Sequence, residues 1–270
     1  MTRTMLTRFA VLLASALACC CPPPWPAGKA AVEAPKADPA QDLLERLETA
    51  ASDLRDFQAD IIYWKWDAAL GRPEIRQGQV LYQSAPGGVL RRFAILLDLQ
   101  IVNNRKREKH RHYIFDGSWL VEIDYDEKLF IKRQVVPPGQ TFDPLKLGEG
   151  PFPLPVGQPK KEVEARFEVS ALAKPQDETL ATGLGDTPAE GLLLVPRPDT
   201  PEAKDIRRVE LFYDPKTLLP VGICLTETGG DRKTVVLRNL KRNQGVDEAK
   251  LNILEPDPKE WHIEVVPYRE

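Results

Sequence analysis

The chain has 270 residues, 42% apolar, 7% aromatic and 29% charged, the composition of an ordinary folded protein with material for a sizeable core. Its 37 basic and 40 acidic residues leave a net charge of −3, so nothing in the balance favours a nucleic-acid partner. A single apolar run approaches membrane-segment length, at the extreme N-terminus, which excludes a polytopic membrane protein.

That run has the form of an export signal. Arg3 and Arg8 supply a positive start, residues 9–18 form a short apolar stretch, and Ala16-Leu17-Ala18 has the small-x-small pattern of a cleavage site. Residues 1–18 therefore read as a signal peptide. Cys19, Cys20 and Cys21 follow directly. Cys19 or Cys20 is a candidate acceptor for a diacylglycerol anchor, and simple release stands as the other outcome. Cys224, alone in a predicted strand, reads as a small buried apolar residue. Residues 19–39 are rich in Pro, Ala and Lys and read as a semi-extended tether. Residues 40–270 show no composition shift and read as one domain.

Asp38-Pro39 has the chemistry of a helix start, and Leu43, Leu44, Leu47 and Leu54 recur at helical spacing. The spacing predicts an amphipathic helix of roughly four turns, whose leucine face needs a partner. From residue 57 the period switches to two. Segments 57–67, 74–83, 89–101, 108–115, 118–125 and 128–136 read as strands joined by short turns. Asp116-Gly117 suggests a two-residue turn in which both residues have positive φ. Residues 137–160 are too proline-dense for a strand and read as a long lid with apolar pegs at Phe142, Leu145, Leu147, Phe152 and Leu154. A short helix around 160–167 and strands at 167–173, 190–196, 207–214, 220–228 and 232–243 complete the chain. The prediction is an α+β, mainly β fold: an unclosed antiparallel barrel of about eleven strands, with the N-terminal helix laid inside or across its mouth.

Alternation places Phe57, Ala59, Ile61 and Tyr63 on one face of the first strand, and Ile62, Trp64 and Trp66 on the other. The first set is expected to line the interior. With Val80, Tyr82, Phe93, Ile114, Trp119, Val121 and Ile123 it makes up the candidate cavity lining, with Leu43, Leu44, Leu47 and Leu54 as its cover. His110 and His112 alternate on one strand, but zinc needs further ligands and His262 is the only other histidine; the pair reads as solvated strand histidines, with no metal. The basic run 105–109 reads as a charged strand edge. Asp116 is accounted for by its turn, and Glu122, Asp124 and Asp126 by a polar strand face. No nucleophile elbow, phosphate loop or histidine-centred triad occurs, so no enzyme and no cofactor are expected.

The order of helix, Asp56-Phe57-Gln58-Ala59-Asp60, Gly78-Gln79-Val80-Leu81-Tyr82 and Phe115-Asp116-Gly117-Ser118-Trp119-Leu120 resembles periplasmic lipoprotein carriers of the LolA/LolB type. The run from Leu237 through Asn243 and Val246-Asp247 to Leu251, leading to Pro256, is its most specific part. The resemblance implies an unclosed barrel whose helices cover an apolar cavity for acyl chains. Its implied partners are lipidated proteins or acyl lipids and inner- or outer-membrane lipoprotein machinery, met by a monomer exported to the periplasm. A sensor module using the same barrel, or a structural protein with a filled one, are the other readings. One departure stands out. Carriers of this type have an Arg-Pro pair after the second strand whose arginine latches the lid, and here Ala85 precedes Pro86.

Overall fold

A computed structural model describes residues 38–84, 91–102, 104–137 and 158–268. The expected signal peptide at residues 1–18, the candidate acceptors Cys19 and Cys20, nearly all of the expected tether, Ala85 and the expected lid pegs from Phe142 to Leu154 lie outside them.

Helix α1 (Pro39–Ser52) starts where the sequence places it. The Asp38 carboxylate accepts the Ala40 N–H at 3.0 Å, and proline occupies the first turn. Six strands follow: β1 (Asp56–Asp67), β2 (Arg72–Ser84), β3 (Arg91–Val102), β4 (Arg105–Phe115), β5 (Trp119–Asp124) and β6 (Leu129–Gln134). Helix α2 (Lys160–Arg166), β7 (Phe167–Leu172), helix α3 (Glu178–Leu184), β8 (Glu190–Pro196), helix α4 (Glu202–Asp205), β9 (Ile206–Tyr213), β10 (Pro220–Glu227) and β11 (Arg232–Arg242) complete the body. The chain ends with a 3₁₀ turn (Glu248–Leu251) and β12 (His262–Val266).

The strands form one sheet in the order β12-β6-β5-β4-β3-β2-β1-β11-β10-β9-β8-β7, and among the described residues it does not close. It has twelve strands where eleven were expected. The additional strand, β12, runs parallel to β6, from His262 opposite Leu129 to Val266 opposite Arg133, so the sheet is not wholly antiparallel. The turn at Asp116 also differs from expectation. Only Gly117 has positive φ there, and the Asp116 carboxylate folds the turn by accepting the Ser118 and Trp119 N–H groups at 2.9 and 2.8 Å.

Curvature is evident in the core. Phe57, Ile61, Val80, Tyr82, Phe93 and Ile95 from one half of the sheet share a single cluster with Leu192, Leu211, Ile223 and Val235 from the other, and with Leu43 and Leu44 of α1. The inner face is thus apolar, and α1 caps it. The outer face carries two further clusters. Leu81, Ala94, Leu96 and Phe130 are covered by Leu251, Trp261 and Ile263 of the C-terminal segment. Val221, Cys224 and Val236 are covered by Leu180 and Leu184 of α3, a helix capped by Asp177 in a stretch where the sequence showed no element. Asn243, just past β11, has φ of 53°. Its side chain accepts the Arg55 N–H at 2.9 Å and donates to the Asp53 carbonyl at 2.8 Å, which joins the end of β11 to the chain entering β1.

Candidate functional site

The inner face is not filled evenly. Between α1, α2 and the inner side chains of β8 and β9 lies a cleft of about 30 Å³, lined chiefly by Leu44, Leu47, Leu54, Leu192, Leu211 and Tyr213, with Val163 of α2 and Arg242 at its margin. That volume suits about two water molecules and no alkyl chain. Larger hollows of about 270 and 450 Å³ lie elsewhere, but their walls are polar or shallow: Lys65, Glu74 and Arg107 in one, Gln58, Asp60 and Lys241 in the other.

The leucine stripe explains why α1 sits here, and polar ties fix how it sits. Arg46 donates to Asp42 at 2.9 Å within the helix and pairs with Glu190 at the start of β8. Lys160 of α2 reaches Glu45 at 2.6 Å. Arg242 donates to the carbonyl of Thr217 and, at 2.7 Å, to that of Ala50 in the last turn of α1, a position left without an intrahelical donor. Tyr213 is fully covered, and burial pushes its phenol well above the usual range, so it stays neutral in the cleft wall.

Among the residues singled out from the sequence, Leu44, Leu47 and Leu54 line this cleft, and Leu43 is buried beside it. Phe57, Ile61, Tyr63, Val80, Tyr82 and Phe93 do point inward, but they are used in the core of the opposite half-sheet and do not reach the cleft. Ile114, Val121 and Ile123 face outward under the C-terminal segment. Trp119 shares their parity, and the Lys132 ammonium lies 5.2 Å over its ring. The register is the reason: Tyr82 stands opposite Phe93, Phe93 opposite Phe115 and Phe115 opposite Leu120 on the inner face, so Ile114, paired with Ala94 and Val121, takes the outer one, while the cleft lies under α1 on the inner side chains of β8 and β9. Leu192, Leu211, Tyr213 and Arg242 were not singled out. Their strands were legible, but nothing local shows which half of the sheet the helix covers.

The acidic residues near the β4–β5 hairpin each have a structural partner. Arg111 holds Asp124 at 2.5 Å, Tyr113 donates to Glu122 at 3.3 Å, and Asp126 accepts the His110 N–H at 3.1 Å. The basic run 105–109 extends past the end of β5, whose pairing with β4 stops at Arg111, so it is a charged strand edge as expected. Cys224 is buried, and burial pushes its thiol up to about 12. Among the described residues no helix is long and apolar enough to cross a membrane.

No protein-family model matches the chain, and no curated protein sequence does. Solved structures do. A chain of the Pseudomonas aeruginosa MucA/MucB complex is similar over 78% of this chain and 60% of its own, at 15% identity and a TM-score of 0.43. This chain thus spans about 60% of that protein's length. A LolA superfamily protein from Nitrosomonas europaea is similar over 79% of this chain and 97% of its own, at 10% identity and a TM-score of 0.34. LprF from Mycobacterium bovis is similar over 77% and 94%, at 9% identity and a TM-score of 0.39.

Proposed function

We propose that the protein is a non-enzymatic, exported binding protein that shelters acyl chains, of lipoproteins or of free lipids, beneath α1 on the inner face of its open sheet. The observation that carries this reading is the apolar cleft under a helix seated by leucines and tied by ion pairs at its rim. The cleft as it stands is too small for cargo, so α1 must lift. Lifting exposes Leu43 and Leu44, at about 2 kcal/mol each, and part of Leu47 at about 1 kcal/mol, or about 5 kcal/mol in all. An acyl chain of about sixteen carbons leaving water gains about 0.8 kcal/mol per methylene, roughly 12 kcal/mol. A surplus of roughly 7 kcal/mol remains to offset the entropy of association and the ion pairs that α1 gives up. Export through residues 1–18, and a lipid anchor at Cys19 or Cys20, belong to the same reading.

Titration of a fluorescent sixteen-carbon fatty acid into the full chain tests it. Saturable binding of one probe per chain, displaced by unlabelled palmitate, is the expected result. Tyr63→Phe, away from the cleft, should bind equally well, whereas Leu47→Asp should alter binding and lower the melting temperature by placing a charge against apolar surface. The small volume of the cleft favours one other reading, a structural envelope protein with a filled sheet. The absence of saturable binding would establish it in place of ours.

A further inference from the structure

On the outer face of the sheet, away from the cleft, a carboxylate from one strand meets two imidazoles from the next. The Asp98 Oδ1 of β3 lies 3.0 Å from His110 Nδ1 and 2.9 Å from His112 Nε2 of β4, and the three ligating atoms fall within 4.8 Å of one another. Alternation brings the two histidines to one face, and a bulge supplies the acid. Between Leu97 and Leu99 the partners of β3 jump from Arg111 to Glu108, so Lys109 and His110 together stand opposite Asp98. Tyr125 packs edge-on against the His112 ring at 4.9 Å, and Trp261 packs against Tyr125 at 5.6 Å, which holds His112 in place. The side chains of Asp98 and His110 are 45% and 44% exposed, so an ion reaches them without unfolding.

We propose that Asp98, His110 and His112 bind one divalent transition-metal ion of the zinc class. Two imidazole nitrogens and one carboxylate oxygen are a donor set for zinc, and nitrogen-rich sites exclude magnesium and calcium by ligand type. Donors about 2.1 Å from a tetrahedral ion stand about 3.4 Å from one another. The two contacts to Asp98 open by about half an ångström, and the two imidazole nitrogens, no more than 4.8 Å apart, settle to the same spacing. Both histidines bind as neutral ligands through the ring nitrogens that face Asp98, His110 Nδ1 and His112 Nε2. Three protein donors leave a fourth position for water or another ligand atom.

Calorimetric titration of zinc chloride into the full chain tests the proposal, with magnesium chloride as the control metal. The expected result is one zinc equivalent, insensitive to magnesium, that disappears from the His110→Ala/His112→Ala double variant and weakens at least tenfold in Asp98→Asn. His262→Ala should bind like the parent. Zinc held by the N-terminal cysteines would persist in the double variant and is counted separately by that difference. Substitution with cobalt(II) gives a second reading, an intense visible band from a four-coordinate site that the double variant lacks. Should the parent chain take up no zinc, or the double variant retain all of the parent's uptake with its circular dichroism unchanged, the site is an ion pair and no more.

Discussion

Replacing Arg46 with alanine separates a cover from a core element. Arg46 joins α1 to the sheet through Glu190, and both side chains are more than a third exposed, at 36% and 39%. Solvent screens such a pair, so its loss costs docking only about 0.7 kcal/mol. The Asp42 contact lies within the helix and adds a few tenths to helix stability, not to docking. A change of about 0.7 kcal/mol raises the open population of α1 about threefold. Hydrogen exchange followed by mass spectrometry should show the α1 amides exchanging about three times faster, with those of β10 unchanged. If cargo needs the open state, the apparent dissociation constant for a fatty acid should fall by up to the same factor. High salt should loosen α1 in the parent chain and have much less effect in the variant. Faster exchange of α1 with unchanged or weaker affinity would refute the reasoning, because cargo would not then be competing with the helix.

Three further outcomes follow from the sheet. A Cβ at Gly78 would stand 2.7 Å from the Leu96 carbonyl carbon and 2.9 Å from the Leu97 Cα, backbone that cannot step aside, so Gly78→Ala should cost about 3 kcal/mol by urea unfolding. At Gly222 the obstacles are the Leu180 and Leu184 side chains at 2.8 and 3.0 Å, which can turn, and the loss should be about 1 kcal/mol. Burial alone would raise the Asp124 carboxyl, but its bond from Arg111, the Glu127 N–H and nearby Lys109 outweigh burial and hold it below the usual carboxylate range. A lowered folded value gives stability that is complete above the unfolded value of about 3.9 and is lost as pH falls through the folded one. Asp124→Asn should therefore be about 2 kcal/mol less stable at pH 7 and lose less on acidification, read from urea midpoints between pH 7 and pH 3.

The strands, the helix start and the choice of inner face on β1 were legible because each rests on local chemistry. Asp38-Pro39 caps a helix wherever it occurs, and a period of two assigns Phe57, Ala59, Ile61 and Tyr63 to one side without knowledge of the partner; all four are buried in the inner core. The cleft was not legible. Its position depends on which half of the sheet α1 covers, and the contacts that tie the helix there, Arg46 with Glu190 and Arg242 with Ala50, join residues 144 and 192 positions apart. The meeting of Asp98 with two histidines was hidden for a similar reason. It depends on one extra residue in β4, which shifts the register without leaving a mark in the hydrophobic pattern. The partner of β12 is β6, more than a hundred residues earlier, and the short apolar alternation at 262–266 does not name it.

Whether α1 moves alone or together with α2 decides what a cargo would displace, and the Lys160–Glu45 contact gives a way to ask. Those side chains meet at 2.6 Å, so cysteines at the two positions fall within the span of a short, reducible bis-maleimide linker. Cys19, Cys20 and Cys21 must first be changed to serine, or the reagent will be consumed there. Cys224 can stay. It is buried, its thiol is pushed up to about 12, and so it holds almost no thiolate at neutral pH and offers no access to the reagent. The linker pins α1 to α2 but leaves the leucine face unchanged. If α1 lifts away while α2 stays against β7, the pinned chain should lose fatty-acid binding and regain it when the linker is reduced. Full binding in the pinned state would mean that the helices swing as one flap or that cargo never enters here; combining the linker with Arg46→Ala separates these, because only a flap still tied through Glu190 gains affinity when that tie is cut.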